Sequence, residues 1–151
     1  MTAEELRLAV TPHATSKIRA EDDLYRIATL GFRGEALASI GAISHLRIVS
    51  RPKDAVAGAE IVVAAERIES ASAAGCRAGT TLEVRDLFFN VPARRKFLKS
   101  NATEVGHINE QVARLALAYR DIGFDVTNNG RSTHRLTGGL GVGERIAGLF
   151  G

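Results

Sequence analysis

Cysteine is nearly missing from this chain: Cys76 is the one thiol in 151 residues. A single thiol excludes an internal disulfide and fits a reducing, cytoplasmic setting. Alone in a weakly patterned stretch, Cys76 reads as a bystander, not a nucleophile. No apolar run approaches the length of a membrane span, so no membrane partner is expected. The N-terminus lacks a basic-then-apolar signal pattern, because Glu4 and Glu5 stand where that pattern needs other residues. There is no Gly-x-x-x-x-Gly-Lys-Ser/Thr, which excludes a P-loop. Gly139, Gly141 and Gly143 alternate without the dinucleotide spacing and open no early βαβ unit, so they read as a flexible approach to the closing segment. His13, His45, His107 and His134 pair neither with one another nor with Cys76, which leaves no zinc site. Repeats and low-complexity blocks are missing as well.

What remains is an ordinary globular composition, 45% hydrophobic and 25% charged, with a length of about one domain. The net charge of +3 is unevenly placed. Residues 1–75 hold 9 Lys/Arg against 10 Asp/Glu (−1), and residues 76–151 hold 11 against 7 (+4). The second half therefore suits a polyanion, although solvated surfaces share the pattern.

The local signals alternate between helix and strand. Thr2-Ala3-Glu4-Glu5 is a capping box opening a helix that ends before Pro12. A second helix is expected over residues 22–29, stopped by Gly31, and a third over residues 34–44. Residues 45–50 and 60–65 are β-branched-rich and read as paired strands around Arg51-Pro52-Lys53-Asp54. Residues 68–78 read as a loop or ragged edge strand, and 80–87 as a strand. Pro92 suits the first position of a short basic helix. Asn101-Ala102-Thr103-Glu104 caps the longest helix, running to about Tyr119. Asn129-Gly130 sits between two short strands as a hairpin turn.

The most informative stretch is Gly31-Phe32-Arg33-Gly34-Glu35-Ala36-Leu37. Two glycines permit close backbone approach to a ligand, and the helix that follows aims its unpaired N–H groups and positive dipole end into the loop. That is how a polypeptide cradles phosphate, although an ordinary cap and turn look similar. Glu35 reads equally as a helix-start residue, and Arg33 suits either a phosphate or a solvated loop tip. Thr15, Ser16 and Lys17 gather two hydroxyls and an ammonium in one loop, as phosphate or a metal's water shell would need, and as many turns do. Thr80 and Thr81 alone are β-favouring residues. Arg94, Arg95, Lys96 and Lys99 crowd beside Phe97 as a solvated face or a contact for DNA phosphates.

Four blocks, in order, carry a resemblance: His13-Ala14-Thr15-Ser16-Lys17-Ile18; the Gly31–Leu37 loop; Gly79-Thr80-Thr81-Leu82-Glu83-Val84; and Asp86-Leu87-Phe88-Phe89-Asn90-Val91-Pro92-Ala93-Arg94-Arg95-Lys96-Phe97-Leu98. Together they resemble the N-terminal ATPase of the MutL family of DNA mismatch repair proteins. That family belongs to the superfamily shared by gyrase, heat-shock chaperones and sensor histidine kinases, and the likeness runs from about Thr2 to Gly151. The block over residues 89–97 disfavours another branch of that superfamily. The resemblance implies an α+β fold, a two-layer sandwich of helices on a mixed, largely antiparallel sheet of the Bergerat type, lacking its first helix and strand. It implies that ATP phosphates meet Thr15, Ser16, Lys17, Gly31, Phe32, Arg33 and Gly34, and the backbone of Glu35, Ala36 and Leu37. Thr80 or Thr81 would lie near the nucleotide base.

The family's general base, its Mg ligand and its adenine-reading aspartate loop would all precede Met1. The family's γ-phosphate lysine would follow residue 151. The expected organisation is therefore a partial ATPase domain over 1–143, with 144–151 starting a second domain, in a fragment that by itself turns over no ATP. In the whole protein ATP would order the lid, close a homodimer, and regulate contact with mismatched or non-specific DNA and a mismatch recognition protein. The alternative is a non-catalytic DNA-binding or scaffold module with the same fold.

Overall fold

Helix α1 (Ala3–Ala9) starts as its capping box demands. The Thr2 hydroxyl accepts from the Glu5 N–H at 3.2 Å, and a Glu5 carboxylate oxygen accepts from the Thr2 N–H at 2.7 Å. The structure, a computed structural model, describes residues 1–14 and 34–150. The helix expected over 22–29 lies outside the described residues. The described residues form two compact units, 1–97 and 98–151.

In the first unit, β1 (His45–Arg51), β2 (Gly58–Ala64), β3 (Arg67–Ala74) and β4 (Gly79–Arg85) form an antiparallel sheet ordered β3-β2-β1-β4. Alternation sends Leu46, Ile48 and Ser50 of β1, with Ile61 and Val63 of β2, to one face. Helix α1 lies over β2 and reaches β3, and helix α2 (Ala36–Ala42) lies over β2 and β1. Leu6 of α1 and its C-cap Val10 complete a core with those residues, and Leu37 and Ile40 of α2 pack against it. On the other face Arg47 sits between Glu60 (2.5 Å) and Glu83 (3.3 Å). The Glu60 hydrogen bond raises the Arg47 guanidinium above its ordinary value. This is the expected α+β arrangement, with every described strand pairing antiparallel.

Of the two readings left open for residues 68–78, loop or ragged edge strand, the strand holds: Arg67–Ala74 is an edge strand paired with β2. Its connection is a two-residue turn at Ala65 (φ 47) and Glu66 (φ 67), left-handed positions that lack the usual Asn or Gly. Strand β4 stops at Arg85 and not at Leu87, because Asp86 (φ 52) and Phe88 (φ 65) turn the backbone left-handed. After that loop comes the single turn α3 (Pro92–Arg95).

The second unit holds α4 (Asn101–Ala118), the hairpin β5 (Phe124–Asn128) with β6 (Arg131–Leu136), and α5 (Val142–Phe150). Ser100 caps α4, one residue before the expected Asn101, and its hydroxyl accepts from the Thr103 N–H. The hairpin turns at Asn129 (φ 50) and Gly130 (φ 77) as expected. Arg145 of α5 is fully buried and donates to the carbonyls of Arg120 and Ile122. Glu144 lies in α5, which packs on β6 and α4 within this unit.

Candidate nucleotide lid and basic turn

Gly34 holds a left-handed φ of +65, and a Cβ at that position would collide with the Ala14 carbonyl. The approach to α2 and the end of the described N-terminal segment therefore meet backbone to backbone, an approach that only glycine allows. Beside this closure His13 Nδ1 lies 3.0 Å from Glu35 Oε1. Two of the four sequence blocks are thus brought together at Ala14 and Gly34. Glu35 is the N-cap of α2 and makes no side-chain cap bond; its carboxylate turns to His13. Ala36 is exposed, whereas Leu37 anchors the helix on the core. Thr15, Ser16, Lys17, Gly31, Phe32 and Arg33 lie outside the described residues.

Thr80 and Thr81 sit on β4, opposite Ser50 and Val49 of β1. The Thr80 hydroxyl is 2.8 Å from the fully buried Ser50 hydroxyl, which also donates to the Gly79 carbonyl (3.2 Å). The Met1 nitrogen donates to Ser50 Oγ at 2.7 Å. Sequence reading missed Ser50; a lone serine in a strand carries no signal until its cross-strand partner is known.

It also missed how the C-terminal end of α2 is held. The last carbonyls of a helix need partners. Here the Phe88 N–H donates to Ile43 (2.6 Å), and Asn90 Nδ2 donates to Ala42 (2.8 Å). Phe89 stacks on His45 at 4.3 Å and 26°. His45 Nδ1 lies 3.2 Å from the Asp86 carboxylate without hydrogen-bond alignment.

Arg94 and Arg95 belong to α3, and Lys96 is its C-cap; all three are exposed. None of them pairs with a carboxylate among the described residues. Lys99 belongs to the second unit, where its N–H donates to Glu104 Oε1 at 2.8 Å. Among the described residues no helix is long and apolar enough to cross a membrane, and no group of three or more His, Cys, Asp or Glu could hold a metal ion.

No protein-family model matches the chain. Over its whole length it is 47% identical to DNA mismatch repair protein MutL of Syntrophotalea carbinolica, of which it covers 24%. It is 49% identical to the MutL protein of Methanoculleus marisnigri, of which it covers 26%. The chain thus spans about a quarter of the length of these relatives. Among solved structures, the Aquifex aeolicus MutL ATPase domain complexed with ADP matches at a TM-score of 0.73 and 35% identity. That match covers 87% of this chain and 52% of that one. The N-terminal domain of a DNA repair protein matches at a TM-score of 0.69 and 26% identity, over 94% of this chain and 43% of that one.

Proposed function

The chain belongs to the MutL family of DNA mismatch repair proteins, and from that premise we propose that it supplies the phosphate lid of an ATP-binding domain. The observation that carries the reading is the backbone closure of Ala14 on Gly34 beside a helix start whose N-cap side chain makes no cap bond. Backbone N–H groups at Glu35, Ala36 and Leu37 then meet phosphate oxygens, with the helix dipole adding to the attraction. Gly31, Phe32, Arg33 and Gly34 belong to the same phosphate contact. Thr15, Ser16 and Lys17 bring two hydroxyls and an ammonium to the same phosphates. Thr80 or Thr81 lies near the base, with Ser50 orienting the Thr80 hydroxyl. The ADP-bound Aquifex aeolicus relative supports a nucleotide as ligand.

Bound ATP would bring the reacting phosphate, and this chain would bind and orient it. Glu35 is no candidate base, because its carboxylate is engaged by His13. Arg94, Arg95 and Lys96 contact DNA phosphates without reading sequence; Lys99, which belongs to the second unit, is a separate phosphate contact. At the length of the relatives, ATP gates homodimer closure and contact with DNA and a mismatch recognition protein. Residues 144–151 lead from the ATPase domain into the next.

Amide hydrogen exchange in a complete MutL-length protein carrying this sequence tests the lid. ATP should slow exchange at residues 34–38. Unchanged exchange there, with ATP demonstrably bound, refutes the assignment.

A further inference from the structure

Helix α2 is held at both ends by parts of the chain far away in sequence. Its start meets His13 and Ala14. Its end is held by the loop over residues 86–90, through Phe88 N–H to Ile43 and Asn90 Nδ2 to Ala42, while Phe89 stacks on His45 at the start of β1. The same loop builds the basic turn without a free residue in between. The Phe89 N–H donates to Asp86 (2.9 Å), the Val91 N–H to Phe88 (3.1 Å), and the Arg94 and Arg95 N–H groups to Val91 (3.0 and 3.2 Å). The left-handed backbone at Asp86 and Phe88 stiffens this path, since non-glycine residues hold such angles only where their surroundings impose them.

We infer that the 86–90 loop transmits the state of the lid helix to the basic turn, with Asn90 as its positioning residue. The inference rests on the lid reading above and deepens it. A shift of α2 on nucleotide binding moves the Ala42 and Ile43 carbonyls, and these are bonded to the loop that leads into α3, which carries Arg94 and Arg95 with Lys96 as its C-cap. Nucleotide and polyanion then bind with a coupling free energy, which by linkage is equal in both directions.

The test uses a complete MutL-length protein carrying this sequence. Affinity for duplex DNA is measured with and without a non-hydrolysable ATP analogue, and affinity for the analogue with and without DNA. The unsubstituted protein should show a coupling factor of roughly fivefold or more, the same in both directions. Asn90→Asp keeps the shape but turns the Ala42 contact repulsive. It should bring the factor close to 1 while each ligand alone binds within about twofold of its original affinity. Should Asn90→Asp fail to fold, Asn90→Ser, which is too short to reach Ala42, decides by the same criterion. An undiminished factor in the folded variant overturns the relay. A factor of 1 in the unsubstituted protein, with both ligands binding, also overturns it and leaves the lid standing. Absence of nucleotide binding in the unsubstituted protein sinks the lid reading itself.

Discussion

Gly34→Ala is the smallest perturbation that isolates the closure of the lid. The substitution adds one methyl group where φ is +65 and where that methyl would overlap the Ala14 carbonyl. Holding a non-glycine residue left-handed costs about 1–2 kcal/mol. Forcing an atom into occupied space costs typically 1–3 kcal/mol, and here the obstacle is a backbone carbonyl, not a side-chain tip that can swing away. The sum is about 2–5 kcal/mol, and the molecule escapes it by parting residue 34 from Ala14. The penalty therefore falls on the closed arrangement and leaves the sheet core untouched. If ATP binds only to that arrangement, its affinity should fall between roughly thirtyfold and several-thousandfold. Calorimetry or a fluorescent nucleotide in the complete-length protein reads the loss, and thermal melting confirms that the variant is folded. Gly106→Ala is the matched control: its new methyl meets nothing within 4 Å on helix α4. It should gain about 0.5–1 kcal/mol of stability and leave nucleotide affinity alone. Unchanged affinity in a folded Gly34→Ala protein would refute the reasoning.

Three further outcomes are expected. Glu35→Gln removes a solvent-exposed pair with His13, worth at most about 1 kcal/mol, so nucleotide affinity should change by no more than about fivefold; a larger loss in a titration would mean that the carboxylate, not the backbone, engages the ligand. Arg94→Ala with Arg95→Ala should lower the log–log salt slope of DNA binding by roughly 2, as each phosphate contact contributes about 0.9; an unchanged slope returns the turn to a solvated surface. Arg145→Ala empties a buried site and strips the Arg120 and Ile122 carbonyls of their donor, which should cost about 2–5 kcal/mol of stability, seen as a lower melting temperature.

Legibility from sequence followed the range of the signal. Where a feature is decided within four residues, the sequence carried it: the Thr2 capping box, the Asn129-Gly130 turn and the strand of β1 all stand in the structure. Features decided by a distant partner were hidden. Strand β3 carries small, exposed residues and follows the turn Ala65-Glu66, so neither its pattern nor its turn chemistry announced it; pairing with β2 imposed it. Ser100 took the cap from Asn101 because its hydroxyl reaches Thr103, a competition that two adjacent capping residues leave open in one dimension.

The candidate site shows the same division. Gly34 was legible as a glycine that a loop needs, but not why: the obstacle is Ala14, twenty residues away. Thr80 was legible only through family likeness, since its partner Ser50 lies thirty residues back on another strand. Asn90 stood inside a quoted block as one letter among thirteen, and its amide means something only once Ala42 is 2.8 Å away. The block from Asp86 to Leu98 is recognisable as a string because one continuous stretch does two jobs. Its first half holds the end of α2, and its second half presents the charge. Sequence spacing fixes the distance between those two halves along the chain, but only the fold shows that the first half is bonded to α2. What joins the end of α2 to the stretch before the basic turn is therefore a tertiary property, carried by two hydrogen bonds, with Phe89 stacked on His45 of the neighbouring strand.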